Sequence, residues 1–156
     1  MLRAVAVQTL DSESGPVLDS ITLEYRARCR RRGLVMTDTG RELMLDLGQV
    51  TRLRDGEVLA LESGGGCIRV HAALEDLLEV RAPDRSSLAR LAWHIGNRHV
   101  PAEIAADAIY IEADHVLEEM LIGLGAETSR VRRPFEPEGG AYAGHHRHHS
   151  AASHER

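Results

Sequence analysis

DLLEVRAPDRSSLARLAWHIGNRHVPAEI, residues 76–104, carries the change of period on which the fold turns. Its first five residues, Asp76 to Val80, read as a strand. Pro83-Asp84-Arg85-Ser86 is a helix-start signal, and Leu88, Leu91, Ala92 and Ile95 then fall at i, i+3, i+4 and i+7, one face of a helix that stops at Gly96. Two short strand candidates follow, around Val100 to Ala105 and Ala108 to Ile111. Asp114 can cap a second helix with Val116, Leu117, Met120, Leu121 and Leu124 on one face, and Gly125 ends it. With Glu127 to Arg133 as a last strand, the predicted order is β-α-β-β-α-β, the split arrangement of ferredoxin-like folds. A fold of that kind says nothing by itself about chemistry.

Upstream of this stretch the period is two. Ile21 to Tyr25 and Leu43 to Leu47 carry apolar residues at alternate positions, and Glu57 to Leu61 and Cys67 to Val70 are short and β-compatible. Turn chemistry separates them at Thr37-Asp38-Thr39-Gly40, Arg54-Asp55-Gly56 and Ser63-Gly64-Gly65-Gly66. Downstream, from Gly139, the chain lacks the apolar content that would offset the entropy of ordering a backbone, so a disordered tail is expected. The expected organisation is α+β: an all-β domain over 1–73, a ferredoxin-like domain over 74–138, and a His-rich tail over 139–156.

The 156 residues are 43% hydrophobic but only 3% aromatic. Two small cores must then be built from Leu, Val, Ile and Ala, and cores of that kind commonly depend on dimerisation for further burial. The net charge of −5 argues against a whole-chain nucleic-acid or membrane-surface binder. Cys29 and Cys67 form neither a zinc knuckle nor a disulfide framework, which fits a cytoplasmic protein. The apolar run after Arg3 reaches Gln8 and Asp11 too soon for a signal peptide, and nowhere do eighteen apolar residues run together.

Five of the nine histidines, His145, His146, His148, His149 and His154, lie in the tail. Neutral imidazole suits nickel, zinc and copper, so this cluster reads as metal capture. Selectivity needs fixed ligands, and the folded part offers His71, His94, His99 and His115. His71 reads as a surface or linker residue. His94 and His99 would stand about 140° apart on a continuous helix, a constraint that the break at Gly96 removes. Each of these is, taken singly, more often an ordinary polar residue than a ligand. A two-fold dimer changes the count, because one histidine near the axis supplies two ligands. Asn97 and Arg98 are expected to hold the chain reversal, and Trp93 to cover a domain or subunit contact or to stand partly exposed.

Arg26-Ala27-Arg28-Cys29-Arg30-Arg31-Arg32 is a local basic run. Phosphate neutralisation by it would give salt-sensitive nucleic-acid binding. Without interleaved aromatic residues for stacking, a solvated strand edge or a surface for an acidic protein partner is the preferred reading. No serine or cysteine nucleophile motif and no HExxH accompanies His99 and Asp114, so catalysis is not expected.

The stretch His94-Ile95-Gly96-Asn97-Arg98-His99-Val100-Pro101, together with Asp114-His115-Val116-Leu117, Met120-Leu121, Gly125, Phe135-Glu136-Pro137-Glu138-Gly139-Gly140-Ala141-Tyr142 and the His-rich tail, resembles the UreE family of urease accessory nickel metallochaperones. The likeness extends less strictly to Arg26-Ala27-Arg28 and to Leu34 through Gly40. It implies an N-terminal module of peptide-binding type, a ferredoxin-like metal module and a homodimer joined through the latter. His99 of both chains would be the principal ligand, with His115 accessory and His94 a less certain one. Nickel would be the cargo, with zinc or copper able to substitute. The implied partners are the urease structural subunits and the accessory GTPase that drives nickel insertion. A general metal-buffering protein is the alternative. Asp46 to Arg52 departs from the family pattern, standing where a Pro-Arg-Gly-type turn between two strands is expected.

Overall fold

The computed structural model describes residues 1–139. Ten strands and three helices form two sheets: β1 (Leu2–Gln8), β2 (Val17–Leu23), α1 (Tyr25–Arg28), β3 (Cys29–Met36), β4 (Glu42–Arg52), β5 (Val58–Leu61), β6 (Cys67–Ala72), β7 (Leu74–Arg81), α2 (Arg85–Gly96), β8 (Ala102–Ile104), β9 (Ile109–Glu112), α3 (His115–Gly123) and β10 (Glu127–Pro134). The first six strands make one sheet in the order β2-β6-β5-β1-β4-β3, and the last four make another in the order β10-β7-β9-β8. The expected α+β class holds.

In the first sheet, alternation along β4 turns Leu43, Leu45 and Leu47 inward onto Ala4, Ile21, Leu59, Ile68 and Val70, all buried. Here the sequence reading needs four corrections. β1 and β3 were not anticipated. The strand expected over Ile21 to Tyr25 ends at Leu23, and Tyr25–Arg28 forms a single helical turn closed by the Arg28 N–H donating to the Glu24 carbonyl at 3.0 Å. Asp46 to Arg52 makes no turn; β4 runs through it, with a register irregularity against β3 between Arg30 and Arg32.

In the second sheet, β7 and β9 are antiparallel with Leu77 opposite Glu112 and Val80 opposite Ile109. Leu78, Val80, Ile109 and Ile111 point to one face, where Leu91 and Ile95 of α2 and Leu117 and Leu121 of α3 cover them. Each helix begins as its sequence dictates: the Asp84 carboxylate accepts the Ser87 N–H at 2.7 Å, and the Asp114 carboxylate accepts the Leu117 N–H at 2.9 Å. The face expected for α3 is narrower than the sequence suggested. Val116 and Leu124 are exposed and only Leu117 and Leu121 are buried. The helix closes at Gly123, and Gly125, at φ 93°, makes the reversal that leads into β10.

The opposite face of the second sheet carries Leu77 and Tyr110, which pack with Phe135 and Tyr25. Phe135 is fully buried, and its ring meets Tyr25 edge-on at 5.4 Å. Next to this contact the guanidinium of Arg28 is fully buried. It donates to the carbonyls of Leu23 (3.2 Å), Leu53 (3.0 Å) and Phe135 and to the Glu136 carboxylate (2.8 Å). Arg52 reaches the other oxygen of Glu136 at 3.2 Å, and Glu75 accepts the Tyr25 N–H at 2.9 Å. Burial raises the Glu75 carboxyl above its ordinary value, partly offset by that N–H. The turn at α1 thus serves to place one arginine where both sheets and the segment after β10 meet.

Among the described residues, no helix is long and apolar enough to cross a membrane.

Candidate functional site

The corner at the end of α2 is built mainly from backbone hydrogen bonds. The N–H groups of Asn97, Arg98 and His99 donate to the carbonyls of Trp93 (3.0 Å), Ile95 (3.0 Å) and Gly96 (3.1 Å), tightening the last turn. Asn97 and Arg98 therefore hold the reversal through their amides. Gly96 does not supply the unusual conformation: it is the last helical residue, and His99 is the one non-glycine residue with positive φ among those described, at 54°. The left-handed region costs an L-residue about 1–2 kcal/mol. A strained backbone at a candidate ligand is the kind of local cost that functional sites hold. His99 is exposed at this corner, and Val100-Pro101 then lead into β8.

This geometry yields a prediction. His99→Ala and His99→Gly both remove the imidazole, but glycine adopts positive φ without a Cβ clash. The glycine variant should be more stable than the alanine variant by about 1 kcal/mol, read as a higher melting temperature; equal melting would show that the corner is not strained.

His94 lies one turn before the corner, half-buried, its ring edge-on to Trp93 at 5.0 Å. Trp93 is itself exposed. His115 opens α3, exposed, with its Nε2 3.1 Å from the Glu119 carboxylate one turn on. Because α2 and α3 return along antiparallel strands, the C-terminus of α2 and the N-terminus of α3 come to the same end of the sheet. A cleft of about 150 Å³ lies between them, lined by Val100 and Pro101 on one side and Glu112, Asp114 and Leu117 on the other, with Arg26 paired to Glu112 at 2.9 Å at its rim. His99 and His115 directly flank these lining residues in sequence. His71, by contrast, is on β6 in the other sheet, 3.8 Å from the Asp55 carboxylate. The tail histidines His145, His146, His148, His149 and His154 lie outside the described residues.

Among the described residues, no group of three or more His, Cys, Asp or Glu side chains is arranged to hold a metal ion. His99 and His115 stand, among the described residues, as separate exposed imidazoles at one end of the second sheet.

The N-terminal domain model of the UreE urease accessory protein matches residues 3–73, and the C-terminal domain model matches residues 75–156. The chain belongs to the UreE urease accessory protein family. It is 46% identical over 159 residues to the urease accessory protein UreE of Chelativorans sp. (strain BNC1), covering 99% of this chain and 98% of that protein. The UreE of Bradyrhizobium sp. (strain ORS 278) is 49% identical over 144 residues, covering 92% of this chain and 68% of the relative. For the UreE of Burkholderia thailandensis the figures are 50% over 129 residues, with 83% and 60% covered. These UreE relatives are named as accessory proteins.

Proposed function

We propose that this chain is a nickel metallochaperone that delivers Ni2+ to apo-urease while the urease metallocentre is assembled, without catalysing a reaction itself. The observation that carries the reading is the corner at His99: a single exposed imidazole, held rigidly, in a chain that belongs to the UreE family. Read this way, residues 1–73 form a peptide-binding type domain, residues 74–138 a ferredoxin-like metal-binding domain, and residues 139–156 a His-rich tail. The strand order β10-β7-β9-β8 with a helix after the first and third strands supports the ferredoxin-like assignment.

Two copies related by a two-fold axis near the corner bring their His99 imidazoles to one ion. His115 and, less directly, His94 can add ligands from the same end of the sheet; His115 must first exchange its Glu119 partner for metal. A pair of imidazoles leaves open coordination positions, which suits cargo that is handed on, whereas four closed ligands suit a structural metal. The tail histidines collect further metal. Imidazole also takes zinc and copper, so selectivity rests on geometry and on the partners. Those partners are the urease structural subunits and the accessory GTPase, in the cytoplasm.

The test is calorimetric titration with nickel, with mass measured in parallel, on the full chain and on a chain ending at Gly144. Shortening should lower the stoichiometry yet leave one tight ion per two chains, and the loaded short form should activate apo-urease. A short form that binds nickel tightly but fails to activate urease would make the chain a metal buffer; one that binds none tightly would leave the tail as the sole binder and overturn the proposal.

A further inference from the structure

The first sheet ends at β3, which among the described residues pairs only with β4; just past its end the Asp38 N–H donates to the Ser20 carbonyl of β2 at 2.8 Å. The Thr37 N–H donates to the Arg41 carbonyl at 2.9 Å, and in an antiparallel ladder the amides pointing to the neighbour alternate. Val35 and Gly33 therefore face β4, and Arg32, Leu34 and Met36 turn their backbone N–H and C=O groups to the open edge. The side chains of these same three residues lie on the outer face, where Leu34 is 50% and Met36 53% exposed. A regular edge bearing large exposed apolar residues is a template for a further strand. The register irregularity that disturbs this edge lies before Arg32, so Arg32 to Met36 keep an unbroken register, with Gly33 at φ 154° within it.

We propose that β3 is a docking edge for an extended acidic segment of a partner protein, whose apolar side chains cover Leu34 and Met36 while its carboxylates meet Arg30 and Arg31. This deepens the reading of residues 1–73 as a peptide-binding type domain and rests on it, while standing apart from metal delivery. Charge decides the occupant. Arg32 is held by Asp46 at 2.5 Å and Arg26 by Glu112, but neither Arg30 nor Arg31 has an ion-pair partner among the described residues. Two nearby carboxylates are already engaged: Asp46 by Arg3 and Arg32, and Asp38 by the Ser20 hydroxyl and by the N–H and hydroxyl of Thr22. A second copy of this chain would bring the same arginines and, of the carboxylates beside β3, only Glu42 opposite Met36 without a partner among the described residues, one acid against two arginines. Nucleic acid would find no aromatic ring along β3 on which to stack.

The probes are fluorescein-labelled peptides alternating Val with Glu or Val with Lys, and single-stranded poly(U), each titrated by anisotropy against the full chain. The Glu peptide should bind about tenfold tighter than the Lys peptide, and Arg30→Glu with Arg31→Glu should reverse that order. Leu34→Pro removes an outward amide at an edge position and should abolish binding of the Glu peptide. Should that variant fail to fold, a Glu peptide methylated at alternate backbone nitrogens asks the same of the unaltered protein and should not bind. Equal binding of the two peptides, an unreversed order in the double variant, or undiminished binding of the methylated peptide would each overturn the proposal. Tighter binding of poly(U) than of the Glu peptide would assign the surface to nucleic acid and overturn it as well.

Discussion

Arg28→Ala is expected to destabilise the protein by about 3–5 kcal/mol, the range for removing one partner of a buried charged pair. The guanidinium is fully buried and satisfies three carbonyls, those of Leu23, Leu53 and Phe135, as well as the Glu136 carboxylate. Alanine leaves the buried acceptors without donors and a void beside the Tyr25 and Phe135 rings, and unsatisfied buried polar groups cost more than the hydrogen bonds themselves supply. Arg28→Lys should recover only part of the loss, because one ammonium cannot span four acceptors contributed by three separate segments. Glu136→Gln, at a side chain that solvent reaches, should cost about 1 kcal/mol. Urea denaturation followed by far-UV circular dichroism measures all three. A loss below about 1 kcal/mol for Arg28→Ala, as at an exposed ion pair, would mean that the contact does not hold the two sheets together.

In a chain ending at Gly144, His99→Ala should weaken the proposed nickel site by about 100-fold or more. Loss of an outer-shell partner alone commonly lowers metal affinity about 10–100-fold, and in a two-fold site one substitution removes two direct ligands. His115→Ala should act less strongly, since that imidazole sits exposed on the first turn of α3 beside Glu119. Competition with a chromogenic chelator gives both affinities. Unchanged nickel affinity in the shortened His99→Ala chain would end the assignment of this corner as the metal site, whatever the tail binds.

Much of the second sheet was legible because two periods coincide with capping chemistry. Asp84 and Asp114 precede apolar residues at helical spacing, and each accepts an amide three residues on. The first sheet was read less completely. β3 was obscured by its arginines, since a strand at the edge of a sheet buries only part of its residues and need not show strict alternation. β1, seven residues long, was weighed as a possible leader, not as a partner for β4. The reach of α3's apolar face was overstated, because periodicity reports which residues share a side of a helix and not how far the sheet beneath them extends; Val116 and Leu124 overhang it. At the candidate site, the motif marked the corner, but its backbone could not be read from residue types. Glycine was expected to make the turn, whereas the histidine adopts the left-handed conformation. Nor could a run of arginines reveal that Arg28 alone among them is buried; that depends on carbonyls and a carboxylate distant in the chain.

The arginine at position 28 also fixes an order of events during synthesis. Its carboxylate partner lies 108 residues further along the chain. At the usual pace of translation, about 5–20 residues per second, roughly 5–20 s separate the appearance of the two at the ribosome. Over that interval the first six strands can emerge while their arginine still lacks Glu136 and the Phe135 carbonyl. The N-terminal half thus awaits the last strand's exit from the ribosomal tunnel, and a nascent chain stalled before Phe135 would expose a cationic, half-assembled surface to chaperones and proteases.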